Sequence, residues 1–238
     1  KGFKFSEYHE PPNETKIKWS MDCAEAQRQP DKRIVVTQAR YRTFRVTGEG
    51  EMAVEAPQCV YDPDRKTLSS AGPIHAQTAD GSFTIDGEGF LWRQTNSTLF
   101  VSNRVHTTLR PELAAKERSA PSGATPTPRG PAVDIFSDQF EYGQTTGKAV
   151  YENNVRVAGT NLTATAGRLT VLMPVAERQL QSITAEQRVV VDYEQIHATG
   201  DWAFYSEETG LVQMKGQPTW RFEQEDGSGD ELVFDRTN

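Results

Sequence analysis

Residues 81–107, GSFTIDGEGFLWRQTNSTLFVSNRVHT, decide the fold of this chain. Phe83 and Ile85 alternate with polar neighbours up to a small residue, Gly87. The pattern then runs through Phe90 to Trp92, turns at Gln94–Asn96, and resumes with Leu99, Asn103 and Val105. Alternation sends one set of side chains to a buried face and the other to water, so the stretch predicts two strands around a polar turn.

The same template recurs. With Trp92 as origin, the equivalent residues are Tyr61, Tyr142 and Tyr205. Nine positions earlier stand Phe83, Met52, Val133 and Ile196. Seven earlier stand Ile85, Val54, Ile135 and Ala198. Five earlier come the small residues Gly87, Ala56, Ser137 and Gly200. Eleven positions later come Asn103, Gly72, Asn153 and Gly216, which tolerate a left-handed backbone. A looser copy has Leu162, Ala164, Ala166, Leu169 and Val171 in the matching places. Outside one interruption the origins recur about every thirty residues, the spacing of stacked supersecondary units. One unit cannot bury its apolar face alone, so neighbours must share a core. The apolar offsets change parity between the small residue and the aromatic. A bulge does this, so each strand should fold over an edge.

Composition sets bounds. The chain has 238 residues, 36% of them hydrophobic, and a formal charge of −7. Thin layers with one wetted face suit that content, and one or two domains fit that length. The negative balance argues against nucleic acid as the main partner. No apolar run reaches the roughly 18 residues of a membrane helix. Ile17, Trp19, Met21 and Cys23 alternate with polar residues, which turns Cys23 inward. Cys59 falls two before the Tyr61 origin, where other copies carry Phe90, Phe140, Leu169 and Ala203. Two buried thiols or a Cys23–Cys59 disulfide both fit.

Elsewhere Phe3 and Phe5 suggest a strand ended by EPPNET, AEAQRQ a helical turn, and Ile34–Val46 a bent strand. Residues 110–132 carry five prolines and no periodicity, as a linker or excursion loop would. Val189, Val191 and Tyr193 alternate, as do Trp220 and Phe222, and a last strand is expected at Leu232–Phe234 after a DGSGD turn. His9, His75, His106 and His197 share no template position, so no metal site is expected, and no cofactor fingerprint is present. DPD at 62–64 lacks calcium-loop spacing and suits a turn. No carboxylate pair is placed for acid–base chemistry, so no enzyme is expected.

At this point the residues resemble a known family. IFSDQFEYGQTTGKAVYENNVRV, LTATAGRLTVLM and IHATGDWAFYSEETGLVQMKGQPTW resemble the OstA-like family, the LptA-type periplasmic bridges of lipopolysaccharide transport. KIKWSMDCAEA, MAVEAPQCVYDPDRKTLSSAGPI and the 81–107 stretch resemble the membrane-anchored, LptC-type partner of that bridge. The resemblance implies an all-β fold, a half-open β-jellyroll shaped like a half-closed book. It would form two similar domains in series, 1–109 LptC-like and 133–238 LptA-like, around the 110–132 linker. It implies a periplasmic location, with anchoring through a segment outside this sequence left open. It implies lipopolysaccharide as ligand, its acyl chains lying between the layers. The groove candidates are then Met52, Val54, Phe83, Ile85, Phe90, Trp92, Val133, Ile135, Phe140, Leu162, Leu169 and Ile196. It also implies partners reached by strand addition: other OstA-like domains, the inner-membrane transporter side, or a second copy end to end. Leu232, Val233 and Phe234 are the expected outgoing edge. The alternatives are a structural or adhesive envelope β-solenoid without ligand and, more distantly, a polysaccharide-cleaving enzyme.

Overall fold

A computed structural model describes residues 2–110, 132–174 and 180–235. The expected linker at 110–132 lies, apart from its ends, outside the described residues. The strands are β1 (Phe3–Tyr8), β2 (Ile17–Cys23), β3 (Glu25–Arg28), β4 (Ile34–Phe44), β5 (Gly50–Asp62), β6 (Thr67–Thr78), β7 (Phe83–Arg93), β8 (Thr98–Leu109) and β9 (Val133–Ser137). They continue with β10 (Gln139–Gly143), β11 (Lys148–Ala158), β12 (Leu162–Leu172), β13 (Ser182–Tyr193), β14 (Ile196–Ser206), β15 (Leu211–Lys215), β16 (Thr219–Phe222), β17 (Glu225–Ser228) and β18 (Glu231–Asp235).

Every pairing is antiparallel, and the register breaks in the middle of the long strands. The breaks fall between Glu55 and Val60, Asp86 and Glu88, Glu152 and Val155, and Glu186 and Val189. Each break is a bulge, so a long strand leaves one layer and enters another. The upper layer runs β1–β2–β4–β5–β6–β7–β8–β9–β11–β12–β13–β14–β16–β17. The lower runs β3–β4–β5–β6–β7–β8–β10–β11–β12–β13–β14–β15–β18. The ladders cross from β8 to β9 and β10 without interruption, so each layer is continuous past the 110–132 segment.

The template explains this geometry. Phe83 and Ile85 point inward from the upper layer. Phe90 and Trp92, of opposite parity, point inward from the lower one, and all four are buried. The two layers are thus a folded sheet with its core in the fold. The bend is crowded: a Cβ on Gly87 would stand 2.5 Å from Val101 Cγ1 and 3.2 Å from the Asn103 carbonyl oxygen.

Two local expectations fail. AEAQRQ is not a helical turn: Glu25–Arg28 is β3, held by pairing with Ile34–Thr37. Six residues form a weak helix nucleus, and a waiting strand edge outcompetes it. The DGSGD segment is only partly a turn, because β17 extends through Ser228 against β16. Cys23 and Cys59 are both buried and stand as free thiols rather than a disulfide, each filling a core position as a small apolar side chain would. Burial, with Cys23 nearby, pushes the Cys59 thiol up to about 12.

Two measurements follow from this packing. Gly87→Ala should cost about 1–3 kcal/mol, the range for overpacking, and urea unfolding will read it as a lower midpoint at unchanged m-value. Because the thiolate is the reactive form, an aromatic disulfide reagent at pH 8 should leave both thiols untouched in the native protein. It should titrate both in denaturant without reductant.

Candidate functional site

The space between the layers changes character along the stack. From β2 through β10 it is sealed. Rings meet across it: Trp19 with Tyr61 at 6.1 Å, Tyr41 with Trp92 at 5.9 Å, and Phe83 with Phe140 at 6.2 Å and Tyr142 at 5.8 Å. The mouth is latched by two glutamines on turns of the lower layer. Gln94 Nε2 donates to Tyr41 Oη at 3.5 Å. Gln144 Nε2 donates to Thr43 Oγ1 at 3.1 Å and to Glu51 Oε2 at 2.6 Å. Arg45 pairs with the other Glu51 oxygen at 3.3 Å. Burial drives the Tyr41 hydroxyl well above its ordinary range, so it stays protonated at the closed mouth.

The groove candidates divide accordingly. Met52, Val54, Phe83, Ile85, Phe90 and Trp92 are at most 5% exposed and belong to the continuous core. Ile135, Phe140 and Leu169 are buried too. Val133 and Ile196 are only half-buried against that core, and Leu162 is half-buried. They share this state with Val157, Val191, Val212, Trp220, Leu232 and Phe234. The inner wall of the second half is therefore apolar, with these half-buried residues standing beside fully buried ones such as Tyr151, Val155, Val171, Val189 and Met214.

Side-chain size is the cause. At the two inward upper-layer positions and the first lower-layer one, the Trp92 copy carries Phe83, Ile85 and Phe90, whereas the Tyr205 copy carries Ile196, Ala198 and Ala203. Smaller residues leave the layers less to close upon. Val157, Val191, Val212 and Trp220 are not among the groove candidates read from the sequence, although Val212 stands seven after the Tyr205 origin and Val191 and Trp220 in the alternating runs.

Both ends of the stack carry edge strands. β1 and β3 close the amino-terminal end, each bonded on one side only among the described residues. β17 and β18 close the other. In β18, Leu232 and Phe234 turn inward while Val233 is 52% exposed. Among the described residues no group of three or more His, Cys, Asp or Glu could hold a metal, and no helix is long and apolar enough to cross a membrane.

No curated protein matches the chain. Among solved structures, it is similar to LptH from Pseudomonas aeruginosa, described as the LptA homologous periplasmic component of the conserved lipopolysaccharide transport device. The identity is 13% over 54% of this chain and 76% of that one, at a TM-score of 0.41. Residues 134–238, from β9 through β18, match the family described as LptA/(LptD N-terminal domain) LPS transport protein. Over that region, a little under half of its length, the chain is similar to the lipopolysaccharide-transport proteins that the family describes.

Proposed function

We propose that this chain is a non-enzymatic periplasmic carrier that holds the acyl chains of lipopolysaccharide between the layers of its second half. It hands them along a bridge toward the outer membrane. The observation that carries the reading is the half-covered apolar wall formed by Val157, Val191, Ile196, Val212 and Trp220. Such a wall is costly to leave wet, and each methylene buried there contributes about 0.8 kcal/mol. Hydrocarbon is the ligand chemistry that gains most from it, and a family match to lipopolysaccharide transport names a source of hydrocarbon.

In this reading residues 1–109 form an LptC-like unit and 133–238 an LptA-like one. The β1/β3 end faces the inner-membrane transporter side, with any anchor lying outside this sequence, and β18 receives the next OstA-like domain or a second copy. A pairing strand added to β18 would complete the hydrogen-bond row of an exposed edge. The sealed first half favours a second reading for that part, a structural β-solenoid with no ligand.

Photocrosslinking separates the two. A crosslinker at Ile196 or Val191 should capture lipopolysaccharide, and one at Ile85 should not. Capture at Ile85 alone, or at neither half, would sink the carrier reading. For the edge, Val233→Pro should raise the concentration needed for end-to-end association at least tenfold in sedimentation, whereas Phe3→Ser at the opposite terminus serves as the comparison. Association unchanged by the proline would remove β18 from the interface.

A further inference from the structure

The outer side of the bend, away from the trough, carries a second feature. Where β9, β11, β12 and β13 turn from one layer to the other, they leave an open cleft of about 620 Å³. That volume lies within the range of small-molecule sites. Its lining includes Arg156, Arg188, Asn154, Gln187 and Thr165. Asn153, Asn154, Gln187 and Arg188 all have positive φ, between 52° and 69°. Asn153, Asn154, Gly167, Gln187 and Arg188 drop out of both neighbouring registers.

The charge of this cleft runs against that of the protein. Along the outer face of the upper layer, registered residues alternate between nitrogen-bearing side chains and carboxylates: Arg40, Glu55, His75, Asp86, His106. Arg40 bonds Glu55 at 2.6 Å and His75 bonds Asp86 at 2.8 Å. The alternation then stops. After His106 the row continues with Phe136, Arg156 and Thr165, so Arg156 has no carboxylate on either side.

Arg156 is instead held in place. Its guanidinium lies 5.2 Å from the centre of the Phe136 ring, and the His106 ring stacks on Phe136 at 4.5 Å and 4°. Asp134, the nearby acid, is taken by His106 at 2.9 Å and Thr108 at 2.8 Å. Asp138, the carboxylate of the lining, accepts from Asn154 Nδ2 at 2.7 Å. Among the described residues neither Arg156 nor Arg188 has an ion-pair partner. They stand on β11 and β13, two inter-strand spacings or roughly 10 Å apart.

We propose that this cleft binds a phosphorylated sugar, its phosphate taken by Arg156 or Arg188 and its hydroxyls by Asn154, Gln187 and Thr165. A guanidinium fixed on an aromatic face offers a phosphate a bidentate pair with little ordering left to do. Amides and a hydroxyl spread between the two cations match a polyol. The site stands on the outer face and is independent of the trough. Its ligand is either a soluble sugar phosphate or the phosphorylated headgroup of a glycolipid, and the chemistry is shared.

Amide NMR of the full chain tests it with three probes: glucosamine 1-phosphate, lipopolysaccharide in detergent micelles, and the micelles alone. Glucosamine 1-phosphate should shift the resonances of Asn154, Gly167 and Gln187, and the Arg156→Gln/Arg188→Gln double variant should raise its Kd at least tenfold. Shifts with lipopolysaccharide micelles only, lost in the same variant, would assign the site to the headgroup. No shift with either ligand, equal shifts with empty micelles, or shifts that survive in the double variant would overturn the proposal. Both arginines are exposed, so circular dichroism should show the fold intact. Ile196→Trp, which fills the trough, should leave the glucosamine 1-phosphate shifts unchanged, so failure of one site is distinguishable from failure of the other.

Discussion

The bulge in the middle of each long strand is the constraint on which the rest depends. A flat strand shows a sheet one inward face with a period of two. These strands show two inward faces of opposite parity, and only an inserted residue lets one chain do both. The insertion has a conformational cost. Gln38, Arg104, Asn153, Asn154, Gln187 and Arg188 sit at bends with positive φ, a region that costs an L-residue roughly 1–2 kcal/mol. The core formed on both sides of the bend offsets that cost. Ile85, Leu99, Val101 and Tyr151 are fully buried because one folded sheet supplies both walls of their surroundings.

Once every strand bends at the same level, side-chain volume alone decides whether the walls meet. From β2 through β10 aromatic side chains span the gap and the glutamine latches close the mouth. In the second half, Ala149, Ala185, Ala198 and Ala203 hold the equivalent inner surface, and the residues nearer the mouth stay half-wet. The same backbone therefore carries larger inward side chains at one end and smaller, partly exposed ones toward the other. The outer side of the bend gains something too: residues released from the ladder there are free to turn polar side chains toward a ligand.

Much of this was legible in the sequence. The parity change between Ile85 and Phe90 announces the bend, and the recurrence at Tyr61, Tyr142 and Tyr205 announces the stack. The taper was present as well, in the passage from Phe83, Ile85 and Phe90 to Ile196, Ala198 and Ala203, but letters do not give the distance between layers. The placing of β3 was missed because pairing with β4 depends on a neighbour that local propensity does not see. The cleft on the outer side of the bend was invisible for another reason. Arg156, Thr165 and Arg188 belong to three strands and fall on polar positions, where an apolar template has nothing to say.

The taper also orders where hydrocarbon would go. Burial of a methylene gains about the same anywhere between the layers, near 0.8 kcal/mol. In the second half that gain is opposed only by whatever partial packing the half-covered wall gives up. In the first half it is opposed by the parting of Trp19 from Tyr61, Tyr41 from Trp92, and Phe83 from Phe140. Each ring pair is worth about 0.5–1.5 kcal/mol beyond its buried area, and the Gln144 bonds to Thr43 and Glu51 must break as well. Under the proposed function, equal gain against unequal cost would fill the second half first. A chain that reached the first half would have to open it from the β9–β10 junction, where the sealed and half-open regions share their ladders.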